Sequence, residues 1–237
     1  MIPSPDHFFK EVPSLEKRIG YHFKDRKLLL MAFTHPSFAN ENKSLVQEHN
    51  ERLEFLGDSV LGMIIAGYLY TELPKTAEGI LSALRSKIVE GSSCILFAEK
   101  LGLLEYLMLG KGERRNGSRG RGSIMADLFE ALMGAIYLDG GLEASSHFFF
   151  AHFSEELASL IREPQGNWKA ELQDYCQKNY QEMPLYKVAS ESGPDHSKRF
   201  EVTVIVQGGE KGKGQGSSKK EAQQNAAKQA LEKLHHG

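Results

Sequence analysis

Two apolar stretches of this chain carry acids where a core helix has no use for them. The first is Asn50-Glu51-Arg52-Leu53-Glu54-Phe55-Leu56-Gly57-Asp58-Ser59, running on through Val60 to Ala66. The second runs from Ile124 to Leu138 and holds Asp127 and Glu130 as its only charges. Both are built largely of large aliphatic and aromatic residues and read as helices. A carboxylate among leucines and phenylalanines is costly unless a cation compensates it. Glu51, Glu54 and Asp58 fall within a roughly 60° arc of a helix advancing about 100° per residue. A solvated acidic stripe is one reading of that arc, and near the helix start Glu51 also suits the helix dipole. It fits Asp58 less well, because a long uncharged run follows. Around Asp127 and Glu130 there is little polar face to solvate, which leaves two alternatives: buried protonated acids, or ligands of a metal shared by the two helices. Similar acids on both stretches favour the metal, and oxygen-only ligands select a hard cation, Mg²⁺ with Mn²⁺ as a substitute.

The rest of the composition sets bounds. The 237 residues are enough for two domains with real cores. Residues 1–163 hold 18 Lys and Arg against 22 Asp and Glu, whereas residues 164–237 hold 11 against 9, so only the C-terminal part leans basic. Cys94 and Cys176 form no CxxC, which argues against a disulfide framework or cysteine zinc site and fits a reducing compartment. The N-terminus shows no secretory pattern, and no run of about 18–20 uninterrupted apolar residues suggests a membrane span. The expectation is a cytoplasmic protein without a membrane partner.

Read in order, residues 1–13 contain three prolines and suggest an irregular lead-in. A short helix at Leu15–Ile19 closes on Gly20, and Asp25 caps another through Phe33. His35, in Thr34-His35-Pro36-Ser37, reads more readily as a hydrogen-bonded helix-end residue than as a ligand or acid–base group. Residues 39–49 read as a loop. The long helix runs from about Asn50 to Tyr70. Glu78 opens the next, as either a first-turn dipole acid or a site residue. Residues 110–122 form a Gly-rich loop with five basic residues, without the order of a nucleotide P-loop; it is either solvated or phosphate-facing. Ser123 is a natural cap for the second acid helix, and Asp139-Gly140-Gly141 ends it. One more helix covers 142–162.

The pattern then changes. Residues 163–167 read as a linker between a helical domain at 14–162 and a second domain at 168–236. Trp168–Lys178 is an amphipathic helix. Leu185–Glu191 and Lys198–Gln207 read as strands, and Glu210–Gln215 as a third strand or its edge. Ser218 caps a final helix with small alanines on one face. The expected fold is therefore an all-α domain followed by a small α-β-β-β-α domain.

The stretch from Asn50 to Ser59 resembles the signature of the ribonuclease III family, and Ala126-Asp127-Leu128-Phe129-Glu130-Ala131 is similar to that family's second acidic motif. Residues 164–237 look like its double-stranded-RNA-binding domain. The resemblance implies a homodimeric, Mg²⁺-dependent endoribonuclease that cuts both strands of duplex RNA and needs no organic cofactor. Its products would carry 5′-phosphate and 3′-hydroxyl ends with short 3′ overhangs. Its expected substrates are ribosomal precursors, with some messenger, transfer and regulatory RNAs. Carried over by position, Glu54, Asp127 and Glu130 fall on metal ligands, and Asp58 and Glu130 on catalytic residues. Glu51 and Glu78 match supporting acids. Gln173 and Gln177 match a minor-groove helix, and Gly193, Pro194 and His196 a loop entering the next minor groove. Lys219 and Lys220, after Ser218, match lysines on the intervening phosphates. Where such domains often carry a third basic residue, this chain has Gln223. The competing expectation is a duplex-RNA-binding regulator whose acids are vestigial.

Overall fold

Ser4 starts the first helix, α1 (Pro5–Ile19), by accepting the His7 N–H at 3.3 Å. Pro5 follows it at the position where a missing N–H costs nothing. Residues 5–13 are thus helical rather than irregular. Phe8, Val12, Leu15 and Ile19 form a buried stripe at i, i+4, i+7 and i+11, and that packing outweighs the hydrogen bond Pro13 removes. Gly20, at φ 67°, turns the chain out of the helix in the left-handed region. The computed structural model describes residues 4–115, 120–162, 168–192 and 198–235, and the chain divides into two units, Met1–Glu163 and Pro164–Gly237.

The first unit is helical. Asp25 caps α2 (Arg26–Ala32) through the Lys27 N–H. His35 caps α3 (Pro36–Glu41), so the expected loop begins only after Glu41. Next come α4 (Glu51–Glu72), α5 (Glu78–Ile88), α6 (Gly91–Lys100) and a 3₁₀ turn at Leu103–Tyr106. The basic segment is not all loop: Lys111–Arg115 forms a short helix, α7, whose first N–H groups are held by the Glu41 carboxylate. The long α8 (Arg121–Arg162) starts two residues before Ser123, whose hydroxyl donates to the Gly120 carbonyl instead of capping. It breaks at Gly141, with φ 81° and ψ −177°, a conformation open essentially to glycine alone.

The core lies where α4 and α6 pack on α8. Leu53, Leu61, Ile65 and Leu69 meet Phe129, Leu132, Met133 and Ile136, all fully or nearly fully buried. Phe97, Phe129, Phe149 and Phe153 stack with ring centroids between 4.5 Å and 5.5 Å apart, fixing α8 on both sides of its kink. By length and composition α4 is also apolar enough to cross a membrane, but its Leu53–Leu69 face is core here.

The second unit has the expected order. It runs α9 (Trp168–Tyr180), β1 (Leu185–Ser192), β2 (Arg199–Val206), β3 (Gly209–Gly216) and α10 (Lys219–His235), with the strands antiparallel in the order β1-β2-β3. Gln207 and Gly208, both at positive φ, make the two-residue turn into β3. Val202, Val204 and Val206 point into the core, and Ala222, Ala226 and Ala230 of α10 lie directly on Gly212, Gly214 and Gly216 of β3.

Candidate active site

The acids of α4 and α8 come within electrostatic reach of one another because two glycines let two helix backbones touch. A Cβ on Gly57 would overlap the Glu130 carbonyl oxygen, and one on Gly134 would overlap the Leu53 carbonyl. A helix-interior glycine costs about 1 kcal/mol relative to alanine, so a pair of them facing each other marks close approach as the requirement. Gly57 lies between Glu54 and Asp58, and Gly134 one turn beyond Glu130. The crossing therefore brings Glu54 and Asp58 of α4 into the electrostatic field of Asp127 and Glu130 of α8.

The charges act on one another. Burial, then the charges of Asp58 and Glu54, push the Glu130 carboxyl up to about 7. Burial raises Glu54 too, followed by Asp127, Glu51 and Asp58. Asp127 is raised by burial and by Glu51, against a lowering backbone hydrogen bond. Among the described residues none of Glu54, Asp58, Asp127 and Glu130 pairs with a lysine or arginine. An all-carboxylate donor set, partly buried at Glu54, Asp127 and Glu130 and exposed at Asp58, with no paired lysine or arginine among the described residues, fits a hard divalent ion. As they stand, no three His, Cys, Asp or Glu side chains among the described residues are close enough together to hold one.

Glu51, Glu54 and Asp127 line a cleft of about 410 Å³ with His35, Pro36 and Asn50. His35 is the hydrogen-bonded helix-end residue expected, since its Nδ1 accepts from the Ser37 N–H at 3.1 Å and contacts the Ser37 hydroxyl at 2.7 Å, but it also walls the cleft. Burial lowers its pKa, while Glu113 and Glu51 oppose that shift. Glu78 is not brought to the cluster; it is exposed at the start of α5 and accepts from Ser82 at 2.8 Å.

Three features escaped sequence reasoning. The thiol of Cys94, fully buried on α6, lies 3.7 Å from Glu130 Oε1, a contact across 36 residues with no local signal. Asn50 holds the helix-start position of α4 without capping it, and its buried Nδ2 has no hydrogen-bond partner among the described residues. The Gly57–Gly134 crossing did leave a signal, since both glycines interrupt otherwise strong helical stretches.

In the second unit Gln173 and Gln177 are exposed one turn apart on α9. Ser218 caps α10 through the Glu221 N–H at 3.1 Å, with Glu221 reaching back to Ser217. Lys219 and Lys220 are exposed in the first turn, and Lys219 Nζ lies 3.7 Å from Glu191 and over the Phe200 ring. Gly193, Pro194 and His196 lie outside the described residues.

Comparison with known proteins is consistent along the chain. Residues 25–157 match the family described as Ribonuclease-III-like, and residues 168–234 match the double-stranded RNA binding motif. A curated protein named Ribonuclease 3, from Protochlamydia amoebophila, is 58% identical over 97% of this chain and 94% of its own length. Another of that name, from Streptococcus gordonii, is 48% identical over 92% and 94%. The crystal structure of the nuclease domain of ribonuclease III from Campylobacter jejuni superposes with a TM-score of 0.56 at 37% identity, covering 62% of this chain and 96% of that one. A second structure of that domain, described as flexible in a region involved in dimer formation, gives 0.53 at 38%, covering 59% and 96%.

Proposed function

The chain belongs to the ribonuclease III family, and from that premise we propose that its acid cluster is a Mg²⁺ site that hydrolyses phosphodiesters in both strands of double-stranded RNA. It is a double-strand-specific endoribonuclease with a duplex-RNA-binding domain. The observation that carries the metal reading is the electrostatic coupling of Glu54, Asp58, Asp127 and Glu130 across the Gly57–Gly134 crossing, with no lysine or arginine paired to them among the described residues.

Glu54, Asp127 and Glu130 would hold the ion. When bound, it would lower the pKa of a coordinated water and neutralise charge on the reacting phosphate. Asp58, exposed one turn from Glu54, would orient the attacking water in this reading. Attack on phosphorus breaks the bond to O3′, which leaves with a proton, so the products carry 5′-phosphate and 3′-hydroxyl ends. Glu51 tunes the cluster from the cleft wall. The role for Glu78 has no support from the cluster's geometry. In the second unit Gln173, Gln177, Ser218, Lys219 and Lys220 face the duplex, with Gly193, Pro194 and His196 as the minor-groove loop. An A-form duplex offers such a domain its 2′-hydroxyls and phosphates rather than base edges in the major groove.

The working unit in this reading is a homodimer, which presents two equivalent sites to two antiparallel strands and so gives staggered cuts with short 3′ overhangs. Supporting it is an unpartnered stripe on α4, where Phe55, Met63 and Tyr70 are 78%, 62% and 76% exposed. The three share a roughly 80° arc of the helix, and an apolar stripe of that kind marks an interaction surface. Substrates in this reading are ribosomal precursors and other structured RNAs of the cytoplasm.

Incubation with duplex RNA, single-stranded RNA and duplex DNA, each in Mg²⁺ or EDTA, tests the proposal. Mg²⁺-dependent cutting of duplex RNA alone, with 5′-phosphate ends, is expected. Duplex binding without cutting in Mg²⁺ would leave an RNA-binding regulator instead.

A further inference from the structure

We propose that Lys169 is a phosphate-binding cation of the second unit, joining the α9 and α10 parts of its RNA-facing surface. The proposal rests on the duplex-RNA reading above and names a residue which that reading does not use.

Lys169, Gln173 and Gln177 stand at i, i+4 and i+8 on α9. At helical spacing they share a roughly 80° arc of one face. Lys169 is the end of that stripe nearest α10. Its Nζ donates to Gln223 Oε1 at 2.8 Å, and its backbone N–H donates to Gln224 Oε1 at 3.1 Å. Gln223 is one turn from both Lys219 and Lys220, at i+4 and i+3. The Lys169 ammonium therefore stands beside the place on α10 where a third basic residue would follow Ala222, with its charge supplied from α9.

The charge is held but not neutralised. The stem of Lys169 is half-buried, and its Nζ sits 5.0 Å from the centre of the Tyr186 ring, which orients a cation without cancelling it. The Gln223 oxygen is an amide, and among the described residues no carboxylate pairs with Lys169. Lys219, by contrast, shares Glu191 with Lys198. A fixed ammonium with only neutral partners between two exposed polar segments is preorganised for an anionic oxygen, and a duplex RNA backbone supplies such oxygens along that line.

Fluorescence anisotropy of the full chain on a labelled RNA duplex, in EDTA to prevent cutting and across a salt series, tests this. Lys169→Ala is expected to weaken binding by about 3- to 10-fold and to reduce the log K against log salt slope by about one unit. Lys169→Arg should keep both, and Lys169→Ala/Gln223→Lys should restore the slope by returning the charge from α10. Lys169→Ala with an unchanged slope, whatever its effect on affinity or melting temperature, would show that Lys169 only packs on Tyr186 and would overturn the assignment. A wild-type chain that does not bind the duplex removes the underlying reading and the assignment together.

Discussion

Glu130 shows how far one residue can be read. In the sequence it is an acid without a polar face to occupy; in the structure it touches a buried thiol and feels Asp58 and Glu54. Its folded pKa, pushed up to about 7, lies above the ordinary glutamate value, so between the two the native state binds more protons than the unfolded chain. Stability therefore falls as pH rises through that window and stays lower above it. In EDTA at pH 8, Glu130→Gln should raise stability by roughly 1–2 kcal/mol once solvent screening of a half-exposed group is discounted, and the gain should vanish near pH 4. Thermal melts of both proteins across pH 4–8 check this. The acids were legible because an ionised group in an apolar helix contradicts its surroundings. Cys94 was not, because nothing around residue 94 records what a helix 36 residues away brings to it. The helix from Pro5 was missed because Pro5 and Pro13 read as breakers, although one sits at a first helical position and the other is outweighed by the Phe8–Ile19 stripe.

At the scale of elements, close helix approach makes both units. In the first, Gly57→Ala places a methyl into the Glu130 carbonyl and forces α4 away from α8. The expected loss is about 3 kcal/mol or more, read as a lower urea midpoint, with RNA cutting reduced further as the acids separate. In the second, β3 offers glycines to the alanines of α10. Gly214→Val would meet the backbone of Ala222 and Ala226, so the second unit should lose its cooperative unfolding transition and its RNA binding while the helical unit stays folded. Limited proteolysis with mass spectrometry would locate that loss. Apolar periodicity foretold most helices and the second strand, whereas β3, a Gly- and Lys-rich segment without an apolar side chain, was legible only as a third strand or its edge. Periodicity could not foretell that the Lys111–Arg115 segment is helical, because Glu41 organises it from 70 residues away.

At the scale of the molecule, a helical unit concentrates uncompensated acid at one crossing, and a separately cored α-β-β-β-α unit carries exposed basic and amide side chains toward one ligand class. Neither composition nor net charge announces this, since the whole chain is only −2. The order of motifs does. The central claim is that the four acids form a cation site for cutting the duplex that the second unit binds. Its most direct measurement compares wild type and Glu130→Gln on one long RNA duplex, scoring binding in EDTA and cleavage in Mg²⁺. The account predicts equal binding, and cleavage reduced at least about 100-fold in the variant, as when a group acting in the transition state is removed. Cleavage at the wild-type rate by Glu130→Gln, with binding unchanged, would contradict it.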